Sequence, residues 1–148
     1  MLARDLAVAF PTVRRDTLAM EAARLLAGQD LPGLIVVDDA GLPSKVLPGT
    51  QVLRMAVPSY CQDDPVLARV IDEPTADLFL RELGRRTVGE GLDEADRELP
   101  VVDGAATVLE VASVMAAGGT PLVAVVENGR MLGAITLDAL LDRVLDLG

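Results

Sequence analysis

The sequence has no histidine and no tryptophan, and only one cysteine, one tyrosine and two phenylalanines in 148 residues. Without imidazole there is no general base for Ser-His-Asp or Cys-His nucleophilic catalysis. With Cys61 as the sole thiol, neither a disulfide within the chain nor a thiolate or imidazole metal cluster can form. Scarce aromatics and a formal net charge of −10 argue against nucleic acid. A nucleic-acid surface combines basic patches with stacking rings, and phosphate backbones and anionic membranes repel an acidic chain. No apolar run approaches the roughly 18 residues that cross a bilayer. The opening MLARDLAVAF places an acid directly after its only base and has no sustained apolar core, so it does not read as a secretory signal. The expectation is a soluble cytoplasmic protein without direct membrane insertion.

What is present is aliphatic. Hydrophobic residues make up 51% and charged residues 24% of the chain, with a mean hydropathy of +0.38. That is enough apolar material for a buried core and argues against disorder. The acidic residues are spread along the chain, and the adjacent pairs Asp38–Asp39 and Asp63–Asp64 fall in turn or helix-start contexts, where they read as capping or solvated groups. No Gly-rich phosphate loop or metal-ligand spacing occurs. No catalytic residue and no metal site is therefore assigned, and an enzyme is not expected.

The main signal is a duplication. Residues 21–38, EAARLLAGQDLPGLIVVD, and 110–127, EVASVMAAGGTPLVAVVE, align without a gap. Glu21 then matches Glu110, Pro32 matches Pro121, and Val36-Val37 match Val125-Val126; Pro11 in FPTV and Pro100 in LPVV keep the same spacing. Past the turn the spacing shortens by one residue, because DDAG is longer than ENG.

Each half reads as a short extended segment, a helix, two strands joined by a tight turn, and a second helix. In the first half Asp16 or Thr17 is expected to cap a helix with the stripe Leu18, Ala22, Leu25 and Leu26, ending at Gly28 and Pro32. Leu34–Val37 is continuously apolar, the pattern of a strand covered on both faces. Asp38-Asp39-Ala40-Gly41 forms the turn, Lys45-Val46-Leu47 the second strand, and Gln51–Met55 a short helix after Pro48-Gly49. In the second half Thr107 caps a helix with the stripe Val108, Val111, Ala112 and Met115, ending at Gly118-Gly119. Strands Leu122–Val126 and Met131–Ile135 flank the hairpin signal Asn128-Gly129. The last helix carries Leu137, Leu140, Leu141, Val144 and Leu145.

Residues 1–58 and 87–148 thus form two repeats, and 59–86 a helical linker. Two helices are expected in it, at 64–72 and 75–86, the first opened by Asp64 as cap and Pro65. Leu67, Val70, Ile71, Leu78, Phe79 and Leu83 are expected to pack the linker on the lobes. Asp93–Glu98 reads as a solvated acidic loop.

The repeated order helix, hairpin strands, helix resembles paired CBS domains, also called a Bateman module. The second half matches best, through ELPVV, TPLVAVVENGRMLGAIT and DALL. Thr87-Val88-Gly89-Glu90 and Ala3-Arg4-Asp5-Leu6 are similar to the short lead-in that precedes each repeat. The resemblance covers nearly the whole chain except the linker. It implies an α/β fold of two CBS repeats, each of βαββα type, packed pseudo-symmetrically, with clefts that often hold adenosine-containing ligands.

The resemblance places the ligand site of the second repeat at Thr136 and Asp138, with apolar walls Val101, Val102, Leu122 and Val123. In the first repeat it implies Val13, Leu34 and Gln51. Two departures stand out. The family commonly puts its ribose-binding Asp three residues after the Thr, where this chain has Ala139; Asp138 falls one residue early, about 100° around the helix. Pro48 takes the Thr position of the first repeat and offers neither hydroxyl nor N–H, which points to an altered or empty first site. Thr136 reads equally as a plain helix cap and as a phosphate ligand. Val101, Val102, Leu122 and Val123 read more readily as core than as pocket, and Cys61 as a packing or surface residue. Lys45, Arg54, Arg130 and Arg143 are the basic candidates for neutralising a phosphate, though lone basic residues are usually just exposed.

The resemblance implies a regulatory, non-catalytic sensor of an adenosine nucleotide-type ligand with no fixed cofactor. The acidic charge favours AMP, adenosine or an S-adenosyl compound over ATP, because each further phosphate adds repulsion. The alternative is a ligand-independent dimerisation and interaction module docking on a transporter or enzyme. In either case a homodimer is expected, with the face formed by Leu137, Leu141, Val144 and Leu145 as a candidate surface.

Overall fold

The computed structural model describes residues 1–29, 31, 33–57, 59–92 and 98–147. The expected helix stop at Pro32 and most of the acidic loop Asp93–Glu98 lie outside the described residues, as does the side chain of Phe79.

The order is a short helix α1 (Ala3–Leu6), β1 (Thr12–Val13), α2 (Ala19–Gln29), β2 (Gly33–Val37), β3 (Pro43–Pro48) and α3 (Gly49–Arg54). The linker follows as α4 (Ser59–Asp63), a 3-10 helix (Pro65–Val70), α5 (Glu73–Glu82) and two more 3-10 turns (Leu83–Arg85 and Val88–Gly91). Then come β4 (Val101–Asp103), α6 (Val108–Gly118), β5 (Leu122–Glu127), β6 (Arg130–Thr136) and α7 (Leu137–Leu147). The strands form two three-stranded sheets of the same order, β1-β2-β3 and β4-β5-β6. In both sheets the first two strands are parallel, with Val13 opposite Val36 and Val102 opposite Val125. The duplication in the sequence is therefore a duplication of topology.

The chain divides into two compact units that interleave along the sequence. The first consists of Thr12–Val36 and Val46–Asp96, and the second of Met1–Pro11, Val37–Lys45 and Arg97–Gly148. Each lead-in segment belongs to the unit built around the opposite repeat. In the second unit Ala3 and Arg4 donate their N–H groups to the carbonyls of Ala106 and Gly104, and Leu2 bridges Thr107. In the first unit Val88 and Gly89 donate to Thr17 and Arg15, and Thr87 bridges Leu18. The two sets of bonds match residue for residue.

The core of the first unit gathers Val13, Ala19, Ala22, Leu26, Leu34, Val36, Leu47, Val52, Leu83 and Val88. That of the second gathers Ala3, Val102, Ala106, Val111, Met115, Val123, Val125, Ile135 and Leu140. Each buried Val, Leu or Ile contributes roughly 1.5–3 kcal/mol relative to exposure. All five residues of β2 are buried, as the continuous apolar run requires. In the second sheet Val123 and Val125 face the helices, while Leu122 and Ala124, on the opposite face of the same strand, are buried as well.

Local chemistry explains most boundaries. Thr107 accepts from the Glu110 N–H and caps α6, which ends at Gly119 in the left-handed conformation. Asn128 and Gly129 both take positive φ, the requirement of a type I′ hairpin. Asp38 holds the first hairpin by accepting from Ala40 and Leu42. Arg4 pairs with Glu127, and that hydrogen bond, with the carboxylate's charge, raises the guanidinium pKa above its ordinary value.

Two expectations are corrected. Thr17 does not cap α2: its hydroxyl accepts from Arg14 N, and the Ala19 N–H is taken by the carbonyl of Arg86. A backbone partner distant in sequence has replaced the side-chain cap. The linker also packs less than its apolar content suggests. Leu83 is buried and Ile71 half-buried, but Leu67, Val70 and Leu78 are exposed. Asp64 does cap the stretch opened by Pro65, accepting from Val66, but that stretch winds as a 3-10 helix.

Candidate functional site

In the second unit β6 runs directly into α7. Thr136 lies opposite Leu122 in the sheet, and the first N–H of α7, on Leu137, is taken by the carbonyl of Pro121 at 2.9 Å. The Thr136 hydroxyl accepts from the Ala139 N–H at 3.2 Å, closing the first turn. A hydroxyl that accepts keeps its own proton to donate, so capping and ligand contact are compatible at this residue.

The fold brings Val101, Val102, Leu122, Val123 and Thr136 onto one sheet, with Asp138 in the first turn of α7. Their surroundings differ. Val101, on the outer strand β4, is 47% exposed, and Asp138 is exposed beside the half-buried Ala139. Val102 and Val123 belong to the core, and Leu122 is buried on the other sheet face. The accessible polar groups are thus Thr136 and Asp138.

Among the basic candidates, Lys45 is buried in β3, Arg54 donates to Gln62, and Arg130 is exposed at the hairpin. Arg143 is different: its Nε is buried and has no hydrogen-bond partner among the described residues. It lies two turns beyond Thr136 on the same flank of α7, and helix side chains lean toward the helix N-terminus. Cys61 is a buried free thiol.

In the first unit Val13 and Leu34 correspond to Val102 and Val123, and Gln51 to Ala139. Val13 and Leu34 are core residues. Gln51 donates its amide to the carbonyl of Gly91 at 2.7 Å, and Met55 lies so close to Gly91 that a β-carbon there would meet its sulfur at 2.5 Å. The 3-10 turn Val88–Gly91 thereby sits against α3. Nothing in the sequence pattern marked Gly91, because the pairing joins residues far apart in the chain.

Among the described residues no cluster of three or more His, Cys, Asp or Glu is placed to hold a metal ion. No described helix is long and apolar enough to cross a membrane.

The family model for the CBS domain matches residues 92–146. Over almost the whole length the chain superimposes on a CBS domain-containing protein of unknown function from Kribbella flavida, at 52% identity and a TM-score of 0.90, covering 98% of this chain and 99% of that one. The chain is a tandem CBS-domain protein.

More distant structures share the fold of this CBS-domain protein. One is the CBS domain of a membrane protein from Sphaerobacter thermophilus, at 21% identity and a TM-score of 0.72, covering 96% of this chain and 86% of that one. Another is CBSX2, known from Arabidopsis thaliana, in complex with AMP, at 16% identity and a TM-score of 0.67, covering 99% and 97%. No curated protein matches the sequence. The two repeats of the CBS-domain protein are thus alike in topology and unequal in the chemistry they present.

Proposed function

We propose that this CBS-domain protein is a cytoplasmic regulatory module without catalysis that holds one adenosine-type ligand, in its second repeat only. The observation that carries the reading is the inequality of the repeats. Gln51 spends its amide on Gly91, whereas Thr136 retains a donor proton and Asp138 is exposed beside it. The buried, unpartnered Nε of Arg143 supports an anionic group on that flank of α7, since such a donor is costly until something accepts from it. CBSX2, with its bound AMP, supports the ligand class. Thr136 is assigned to the phosphate, Asp138 to the ribose and Val101 to the base, on the sheet face that carries Leu122, with Val102 and Val123 buried behind it on the helix side.

Calorimetry and thermal unfolding with AMP, adenosine, S-adenosylmethionine and ATP test this. One ligand per chain is expected, with about 2.7 kcal/mol of stabilisation at a hundred times its Kd. Thr136→Val should weaken binding and Gln51→Ala should leave it intact. The absence of any shift at millimolar ligand sinks the reading.

A second reading, a ligand-independent dimerisation and interaction module docking on a transporter or enzyme, draws on the burial of Val102, Leu122 and Val123, which fills the expected pocket walls with core. A partner that co-purifies with the chain and is insensitive to all four ligands would favour it.

A further inference from the structure

The linker leaves its own apolar residues uncovered. No residue of the 3-10 helix Pro65–Val70 is buried; Val66 and Leu67 are exposed and Val70 is 84% exposed. Residues three apart eclipse on a 3-10 helix, so Leu67 and Val70 form one ridge. Leu78, on the following α5, is exposed as well. Both elements pack chiefly on their neighbours in sequence, the 3-10 helix on α4 and α5 on the turn Leu83–Arg85. Single exposed apolar residues are ordinary, but several gathered on one short segment mark an interaction surface.

The charges around these residues select the occupant. On Pro65–Glu82 itself Asp72, Glu73, Asp77 and Glu82 are exposed against Arg69 and Arg81, with Asp63 and Asp64 exposed just before it and Arg85, paired with Glu82, just after. A second copy would set the same acidic rim against this one, and an anionic lipid surface meets the same repulsion. A positively charged amphipathic segment satisfies both the ridge and the rim. We infer that Pro65–Glu82 is a docking arm for a basic amphipathic segment of a different protein. This inference does not depend on ligand binding at Thr136.

The test uses the full chain and a synthetic leucine/lysine amphipathic helix, with a scrambled peptide of identical composition as control. Amide chemical-shift mapping should place the helix on residues 65–82, with binding that weakens as salt rises and a scrambled peptide that binds poorly. Val70→Ser with Leu78→Ser should weaken binding at least about ten-fold, because two apolar contacts are lost. The double variant should keep its unfolding temperature, because both positions are exposed. Thr136→Val should leave peptide binding unchanged. Shifts centred outside 65–82, equal binding of the scrambled peptide, arm-dependent self-association in sedimentation, or arm-dependent flotation with phosphatidylserine vesicles would each overturn the proposal.

Discussion

Val8 and Ala134 exchange two backbone hydrogen bonds, at 3.0 Å and 2.9 Å, and so pair the amino-terminal segment with β6. The approach is possible because the residue before Ala134 is Gly133. Its φ is +156°, and a β-carbon built there would lie 2.2 Å from the Val8 carbonyl oxygen. Backbone atoms cannot yield as a flexible side chain can. Gly133→Ala is therefore expected to destabilise the protein by about 1–3 kcal/mol from backbone strain alone. Thermal unfolding would report a Tm lower by several degrees, and amide exchange at Val8 and Ala3 would accelerate. Unchanged protection at both amides would show that the segment is held by other contacts.

The threonines near the starts of the two long helices, Thr107 and Thr17, should respond differently to truncation. Thr107→Ala removes the acceptor for the Glu110 N–H and should cost about 0.5–2 kcal/mol. Thr17→Ala removes only a bond to the Arg14 amide, since the first N–H of α2 is held by Arg86. Its effect on denaturant midpoint should be clearly smaller. Equal losses would mean that Thr17 contributes to α2 in some other way.

Along α7 the apolar stripe is only partly used within the chain. Leu140 is buried in the core, while Leu137, Leu141 and Val144 are exposed and Leu145 is 74% exposed. A homodimer built on this face predicts that Leu141→Asp with Leu145→Asp shifts sedimentation from dimer to monomer. Because neither side chain supports the core, the unfolding cooperativity should survive. A chain that already sediments as a monomer at micromolar concentration would remove the basis for this surface.

Much of the fold was legible from the sequence because the signals were local. The run Leu34–Val37 requires a strand buried on both faces. Asn128-Gly129 requires a tight hairpin, and Thr107 with Gly119 brackets one helix. The linker misled for a physical reason: its apolar pattern describes what the segment offers, and burial depends on whether another element lies opposite. Leu83 found such a neighbour and Val70 did not. At the candidate site, Thr136 and Asp138 were visible as residue types at a helix start. The inequality with the first repeat already shows in Pro48 at the threonine position; what the sequence does not show is that Gly91 holds the Gln51 amide.

Two copies of one unit, the places of their strands and turns, and the absence of imidazole chemistry are all written in the order of the amino acids. These follow from composition and from interactions a few residues long. The tertiary structure alone decided which residues of a shared pattern are spent on the protein's own contacts. It also decided that each lead-in joins the unit of the opposite repeat. Such pairings, Val88 with Thr17 and Ala3 with Ala106, link backbone groups whose hydrogen bonds carry no residue-type signature. Only the packing of the whole chain brings them together.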